Sequence, residues 1–149
     1  MKKIMMIVVI FISILLTGCQ TTGNPTIDNF EQNIPDYTPA SEDVIDTHGE
    51  IENIERFREF LINVNEGKAG NLRVVSYTEE GDPMLHDLEY DGEVIKTTKD
   101  TRRDGFGEGS IIHTTCTSIE VVETTERTDY LLEGCKNPID NTVLVLWRK

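Results

Sequence analysis

Apolar residues recur at Ile51, Ile54, Phe57, Leu61 and Val64, in steps of three and four that place them on one helical face. Glu52, Glu55, Arg56, Glu59 and Asn63 occupy the opposite face. Asn53 is suited to cap the start and Gly67 to end the run, which predicts one amphipathic helix of about thirteen residues. The pattern then changes to alternation. "LRVVSYT" (72–78), "MLHDLEY" (84–90), "EVIKTT" (93–98), "SIIHTTCTSIEVVET" (110–124), "TDYLLEGC" (128–135) and "TVLVLWR" (142–148) read as strands. Asp91-Gly92 reads as a two-residue hairpin turn, pairing Leu88 with Ile95 and setting Asp87 opposite Lys96. In the last strand Trp147 shares a core face with Val143 and Val145. The expected fold class is α+β: one amphipathic helix packed on a curled, meander-like antiparallel sheet of about six strands.

The N-terminus follows neither pattern. Met1, Lys2 and Lys3 precede an apolar run from Ile4 to Leu16, broken only by Ser13. As a helix that run spans about 20 Å at roughly 1.5 Å per residue, too short for a bilayer core of about 30 Å. A positive start and a short apolar centre suit a secretory signal. It ends Leu16-Thr17-Gly18-Cys19, which resembles the lipobox of bacterial lipoproteins. That resemblance implies cleavage before Cys19 and a diacylglyceryl group on its sulfur, with fatty acyl chains such as palmitate in the membrane. Residues 1–18 are then a lipoprotein signal peptide, 19–43 the lipidated cysteine and a flexible acidic tether, and 44–149 a single α+β domain. The tether holds three of the five prolines and no Lys or Arg. Its alternative reading is an arm, Ile27 to Tyr37, docked on the domain. The protein is expected on the extracytoplasmic face of the cell membrane.

Loss of the leader lowers Lys plus Arg from 14 to 12 against 27 Asp plus Glu, a net charge of −15. A chain this acidic is repelled by nucleic acid, which is excluded as a partner. Beyond Cys19 the cysteines are Cys116 and Cys135, an even pair that reads as a disulfide in an oxidising compartment. A two-residue turn at Thr125-Glu126 sets the two directly opposite each other and pairs Ile119 with Leu132 and Val121 with Tyr130 on the other, core-facing side. The alternatives are free thiols or a metal-bound pair, for which zinc needs further ligands. His48, His86 and His113 form no metal motif, and His86 reads as a hydrogen-bonded structural residue. No nucleophile elbow or phosphate loop is present, and "DGFGEGS" lacks the lysine that meets phosphate. Glu79, Glu80 and Asp82, and Asp100, Asp104 and Glu108, are oxygen ligands without EF-hand spacing, so they read as solvated loops. No cofactor, metal or catalytic residue is expected.

The runs "SYTEEGDPMLHDLEYDGEVIK", "TTKDTRRDGFG", "TTCTSIE" and "LLEGC" resemble a family of Gram-positive lipoproteins known only as a domain of unknown function (number four-three-six-two). The resemblance covers roughly Val44 to Cys135 and implies a lipoprotein of one domain, with no activity or site to carry over. The expected role is a non-enzymatic binding module for an envelope protein or wall component. A structural or stress-related envelope component is the alternative, and an enzyme a third. Asp100 to Ser110 is long for a hairpin connection, and Arg102, Arg103 and Phe106 in it make an arginine-plus-aromatic group suited to partner contact. The alternative is local neutralisation of Asp100 and Asp104 by the arginines, with Phe106 tucked into the core. Cys19→Ala is expected to abolish both lipidation and the lipoprotein-type cut. Fractionation of cells carrying the variant checks this, and processing and membrane retention equal to the parent's would refute the assignment.

Overall fold

A computed structural model of the protein describes residues 34–148. The expected signal peptide, Cys19 and the first part of the tether lie outside the described residues. Among the described residues no helix is long and apolar enough to cross a membrane.

The chain runs β1 (Val44–Thr47), β2 (Glu50–Glu52), α1 (Ile54–Asn65), β3 (Gly70–Tyr77), β4 (Pro83–Tyr90), β5 (Ile95–Asp100), β6 (Ile111–Cys116), β7 (Ser118–Glu123), β8 (Arg127–Glu133) and β9 (Thr142–Trp147). One helix lies with a mostly antiparallel arrangement of strands, but in place of one sheet of about six strands there are two sheets among the described residues. One has six strands in the order β2-β1-β3-β4-β5-β6, the other three in the order β7-β8-β9. Two local events account for the difference. β1 and β2 form a short hairpin turning through His48 and Gly49, at φ 53° and 92°, and β1 lies parallel to β3. The apolar run 110–124 is not one strand: β6 stops at Cys116, the chain turns at Thr117, and β7 begins in the second sheet.

The helix buries Phe57 and Phe60, and Ile54, Leu61 and Val64 pack against the same core. Full burial of a side chain this size contributes roughly 1.5–3 kcal/mol. Phe57 meets Tyr130 of β8 edge-to-face with ring centroids 4.8 Å apart, so the helix bridges the two sheets. The helix begins directly after Asn53, as expected, but neither the capping bond nor the place of Ile51 is as expected. Ile51 belongs to β2, and Asn53 is left-handed at φ 56° with no capping side-chain bond. Its Nδ2 donates instead to the carbonyls of Ser41 (3.2 Å) and Asp43 (2.7 Å), tying the helix to the segment before β1. The helix end is as predicted. Glu66 and Lys68 amides reach the Ile62 and Asn63 carbonyls across Gly67, at φ 67°.

The hairpin between β4 and β5 is also corrected. Tyr90 pairs with Ile95, so four residues make the connection rather than two. The cause is Asp91, whose Oδ1 accepts the amides of Glu93 (3.1 Å) and Val94 (3.0 Å) and so favours the longer loop. A two-residue shift keeps every side chain on its face. Leu88 and Ile95 stay in the core, but Asp87 faces Thr98, and Lys96 faces Glu89.

In the second sheet Ile119 pairs with Leu132 and Val121 with Tyr130, the expected register. β9 carries a bulge opposite Tyr130 and Leu131, so Val143 and Leu144 are both buried. The bulge reverses the alternation beyond it. Leu146 therefore packs on the core, and Trp147, expected inside, is 53% exposed.

Cys116 and Cys135 form a disulfide with Cα atoms 3.9 Å apart. Backbone bonds from Thr117 N to Glu133 O (2.8 Å) and Lys136 N to Thr115 O (3.0 Å) flank it. The expectation that the bond lies on the face away from Ile119 and Leu132 fails. The turn at Thr117 restarts the alternation, and Cys116, Cys135, Ile119 and Leu132 all meet in one core. On denatured, unreduced protein neither Cys116 nor Cys135 should react as a thiol. Replacing both by Ser should cost at least about 3 kcal/mol in urea unfolding, the loop-closure entropy of a bridge of this span, with the lost core contacts of the enclosed Cys116 added to it. Two reactive thiols would refute the bond.

Candidate functional site

The outer face of the six-stranded sheet is the side turned away from the helix core. A cleft of about 480 Å³ is lined by Arg73, Asp87, Glu89 and Lys96 of this face together with Asp43 ahead of β1 and Arg56 of the helix. Antiparallel register brings Arg73 beside Asp87, and two bonds join them: Nε to Oδ1 at 2.5 Å and Nη2 to Oδ2 at 2.8 Å. The bonds to Asp87 and then Tyr37 raise the Arg73 pKa further above its ordinary value. Lys96 lies 3.4 Å from Asp91 and 3.9 Å from Glu89, and Arg56 lies 2.7 Å from Glu59. The cleft is thus lined by cations that already have carboxylate partners. Thr98 reaches it too, and its Oγ1 is 2.8 Å from His113 Nδ1 on the next strand. Sequence reasoning missed this hydroxyl–imidazole pair, because only the β5–β6 register brings residues fifteen apart together. His113 is exposed, and the Thr98 hydroxyl holds its ring by Nδ1.

The second polar feature is the loop from Thr101 to Ser110, between β5 and β6. Asp100, at its root and 9% exposed, accepts from Arg102 Nε (2.9 Å), Nη2 (2.8 Å) and backbone amide (3.1 Å), and from Arg103 Nη1 (3.2 Å). The Arg102 guanidinium above all holds the Asp100 carboxyl down to about 2. Two of the three expected contact residues are therefore turned onto Asp100. The third is not tucked away: Phe106 is 81% exposed.

The loop that displays Phe106 is bonded throughout. Asp104 Oδ1 accepts the amides of Phe106 (3.0 Å) and Gly107 (2.9 Å), and Asp82 Oδ2, from the β3–β4 turn, accepts the amide of Gly105 (2.9 Å). Thr101 N to Ser110 O (2.9 Å) closes the base. A Cβ at Gly109 would lie 2.7 Å from Arg102 Cα, so the loop closes this tightly only on glycine. These bonds explain much of the acidic character of both stretches: Asp82, Asp100 and Asp104 serve as internal acceptors. Among the described residues no group of three His, Cys, Asp or Glu side chains is placed to hold a metal ion.

His86 is buried, and its Nε2 lies 2.8 Å from Thr97 Oγ1. Burial first, then the nearby Lys99 charge, lowers its pKa to about 4. Trp147 lies beneath the Arg127 guanidinium, 5.3 Å from the ring centroid. It also presses on Gly49, where a Cβ would stand 2.8 Å from the indole Cδ1.

A family model described as "Domain of unknown function (DUF4362)" matches residues 41–131. No curated protein and no solved structure matches the chain.

The shifts of His86 and Asp100 are both downward, so each group stabilises the fold at higher pH and withdraws that support as pH falls. For His86 the window runs from 6.5 down to about 4, and for Asp100 from 3.8 down to about 2. His86→Gln should flatten the loss of urea stability between pH 7 and 4, an effect of about 3 kcal/mol from a shift this size. An equally steep loss in the variant would show that His86 is not its source.

Proposed function

The chain belongs to the family described as Domain of unknown function (DUF4362), and with no activity to inherit from it we propose a tethered binding module. In this reading Cys19 carries the lipid, the domain stands on the extracytoplasmic face of the cell membrane, and it binds an envelope protein or wall component without catalysing a reaction. Phe106 carries the proposal. A large aromatic side chain 81% exposed on a loop pinned at Gly105, Phe106, Gly107 and Ser110 is a preorganised contact. Preorganisation matters because ordering a free loop on binding would subtract from affinity. Aromatic anchors of this kind carry a large share of interface energy.

Two observations favour binding over catalysis. The cations lining the cleft are already paired with carboxylates, and the groups whose proton affinity is most depressed, His86 and Asp100, do not line it. Arg102 and Arg103 enter the reading as supports of the loop rather than as direct contacts.

With a photo-crosslinking residue beside position 106 on intact cells, Phe106→Ala should lose capture of the partner while the melting temperature stays within about 2 °C of the parent's, as for an exposed site. Arg102→Ala with Arg103→Ala should lower the melting temperature instead. Undiminished capture by Phe106→Ala would remove the loop from the proposal.

A further inference from the structure

We infer that residues 35–43 form a releasable strap over the outer face of the six-stranded sheet, coupled through Arg103 to the Thr101–Ser110 loop. The strap covers a second, small core. Ile45, Val75 and Leu85 are buried on the outer face, with Tyr37 and Tyr77 packed against them. Tyr37 is the fastening. Arg73 stands 5.6 Å and Arg103 5.7 Å from its ring centroid, so two guanidinium groups hold one aromatic ring. Its hydroxyl donates to Asp43, which also accepts the Ala40 amide at 2.7 Å, and Arg73 Nη1 reaches the same hydroxyl at 3.3 Å.

Residues 34–40 belong to no strand. The bonds that hold Tyr37 to the sheet come from side chains, so the strap opens without breaking a sheet ladder. Elements held this way open at far lower free energy than the sheet itself. Release would place Tyr37 in water and uncover Val75 and Leu85.

Arg103 links this event to the loop. Its Nε donates to Pro35 O at 3.2 Å, its Nη1 to Asp100 Oδ2 at 3.2 Å, and its guanidinium lies over Tyr37. One side chain therefore fastens the strap and anchors the root of the loop. Whatever draws Arg103 away from Pro35 and Tyr37 weakens the strap, and release of the strap loosens Arg103 and the loop by the same coupling free energy. The inference rests on geometry alone and holds whether or not the loop is the site of partner contact.

Hydrogen exchange on the full chain in detergent micelles tests it. The loop amides of Arg102, Asp104 and Gly105 are bonded in the strapped state, to Asp100 Oδ1, Thr101 O and Asp82 Oδ2. Tyr37→Ala should speed their exchange by about tenfold or more while Val74 and Leu88, in the sheet centre, keep the parent's rates. Tyr37→Phe keeps the ring between the arginines and should restore near-parent rates in the loop. Arg103→Ala added to Tyr37→Ala should speed loop exchange by a smaller factor than it does in the parent, because the strap contacts are already lost and only the bond to Asp100 remains to be removed. Unchanged loop exchange in Tyr37→Ala would overturn the inference. So would an equal rise at Val74 and Leu88, which would mean that Tyr37 supports only global stability.

Discussion

Cys116 and Cys135 bind the last strand of the six-stranded sheet to the turn that leaves β8, at the corner where the chain passes from one sheet to the other. Thr117 turns that corner, and backbone bonds to Glu133 and from Lys136 to Thr115 hold it on either side of the bridge. Fixing this one point sets the second sheet over the helix. Tyr130 can then meet Phe57, and Leu132 and Leu144 can close the core begun by Leu72, Val74 and Leu88. Without the corner, three short strands would have only their own side chains to bury, and so small a sheet is marginal by itself. The buried bridge serves as a core residue as much as a clamp, since Cys116 is fully enclosed.

What could be read from the sequence follows the range of the forces involved. The helix face, most strand positions and the β7–β8 register depend on short-range periodicity and one tight turn, and the amino-acid order carries both. The departures arise where one residue does something periodicity does not encode. Asp91 bonds forward to Glu93 and Val94 and lengthens a turn that Asp-Gly alone would keep at two residues. The bulge in β9 hands the core from Val143 to Leu144 and turns Trp147 outward. Asn53 is of a capping type but spends its amide on Ser41 and Asp43. β1 and β2 were hidden because each is very short, and β1 pairs with a strand some thirty residues later.

The loop shows the same division. Its length and composition marked it as unusual in the sequence, and the arginines and Phe106 stood out by type. Their separate roles did not. Asp100 captures both guanidinium groups because its position at the end of β5 leaves it nearly enclosed, and an enclosed carboxylate needs cations or donors around it. Asp82 reaches Gly105 from another turn, a contact across more than twenty residues that no local pattern announces. Phe106 is left outside because the loop's bonds are completed without it. The acidic residues nearby are consequently less a charged surface than a set of acceptors, and the net charge of the chain overstates how much of it is free.

The direction of β1 has a mechanical meaning. It lies parallel to β3, with Val44 beside Val74 and Asp46 beside Ser76, and β2 flanks its other edge. A pull on the chain ahead of Val44, directed along the strand, would draw β1 lengthwise past β3. Bonds loaded in this way share the force and must yield together, whereas a strand drawn off sideways gives way one bond at a time. Under a pull in that direction the fold is loaded in shear, and the segment ahead of β1, held by side-chain contacts, would yield before the six-stranded sheet.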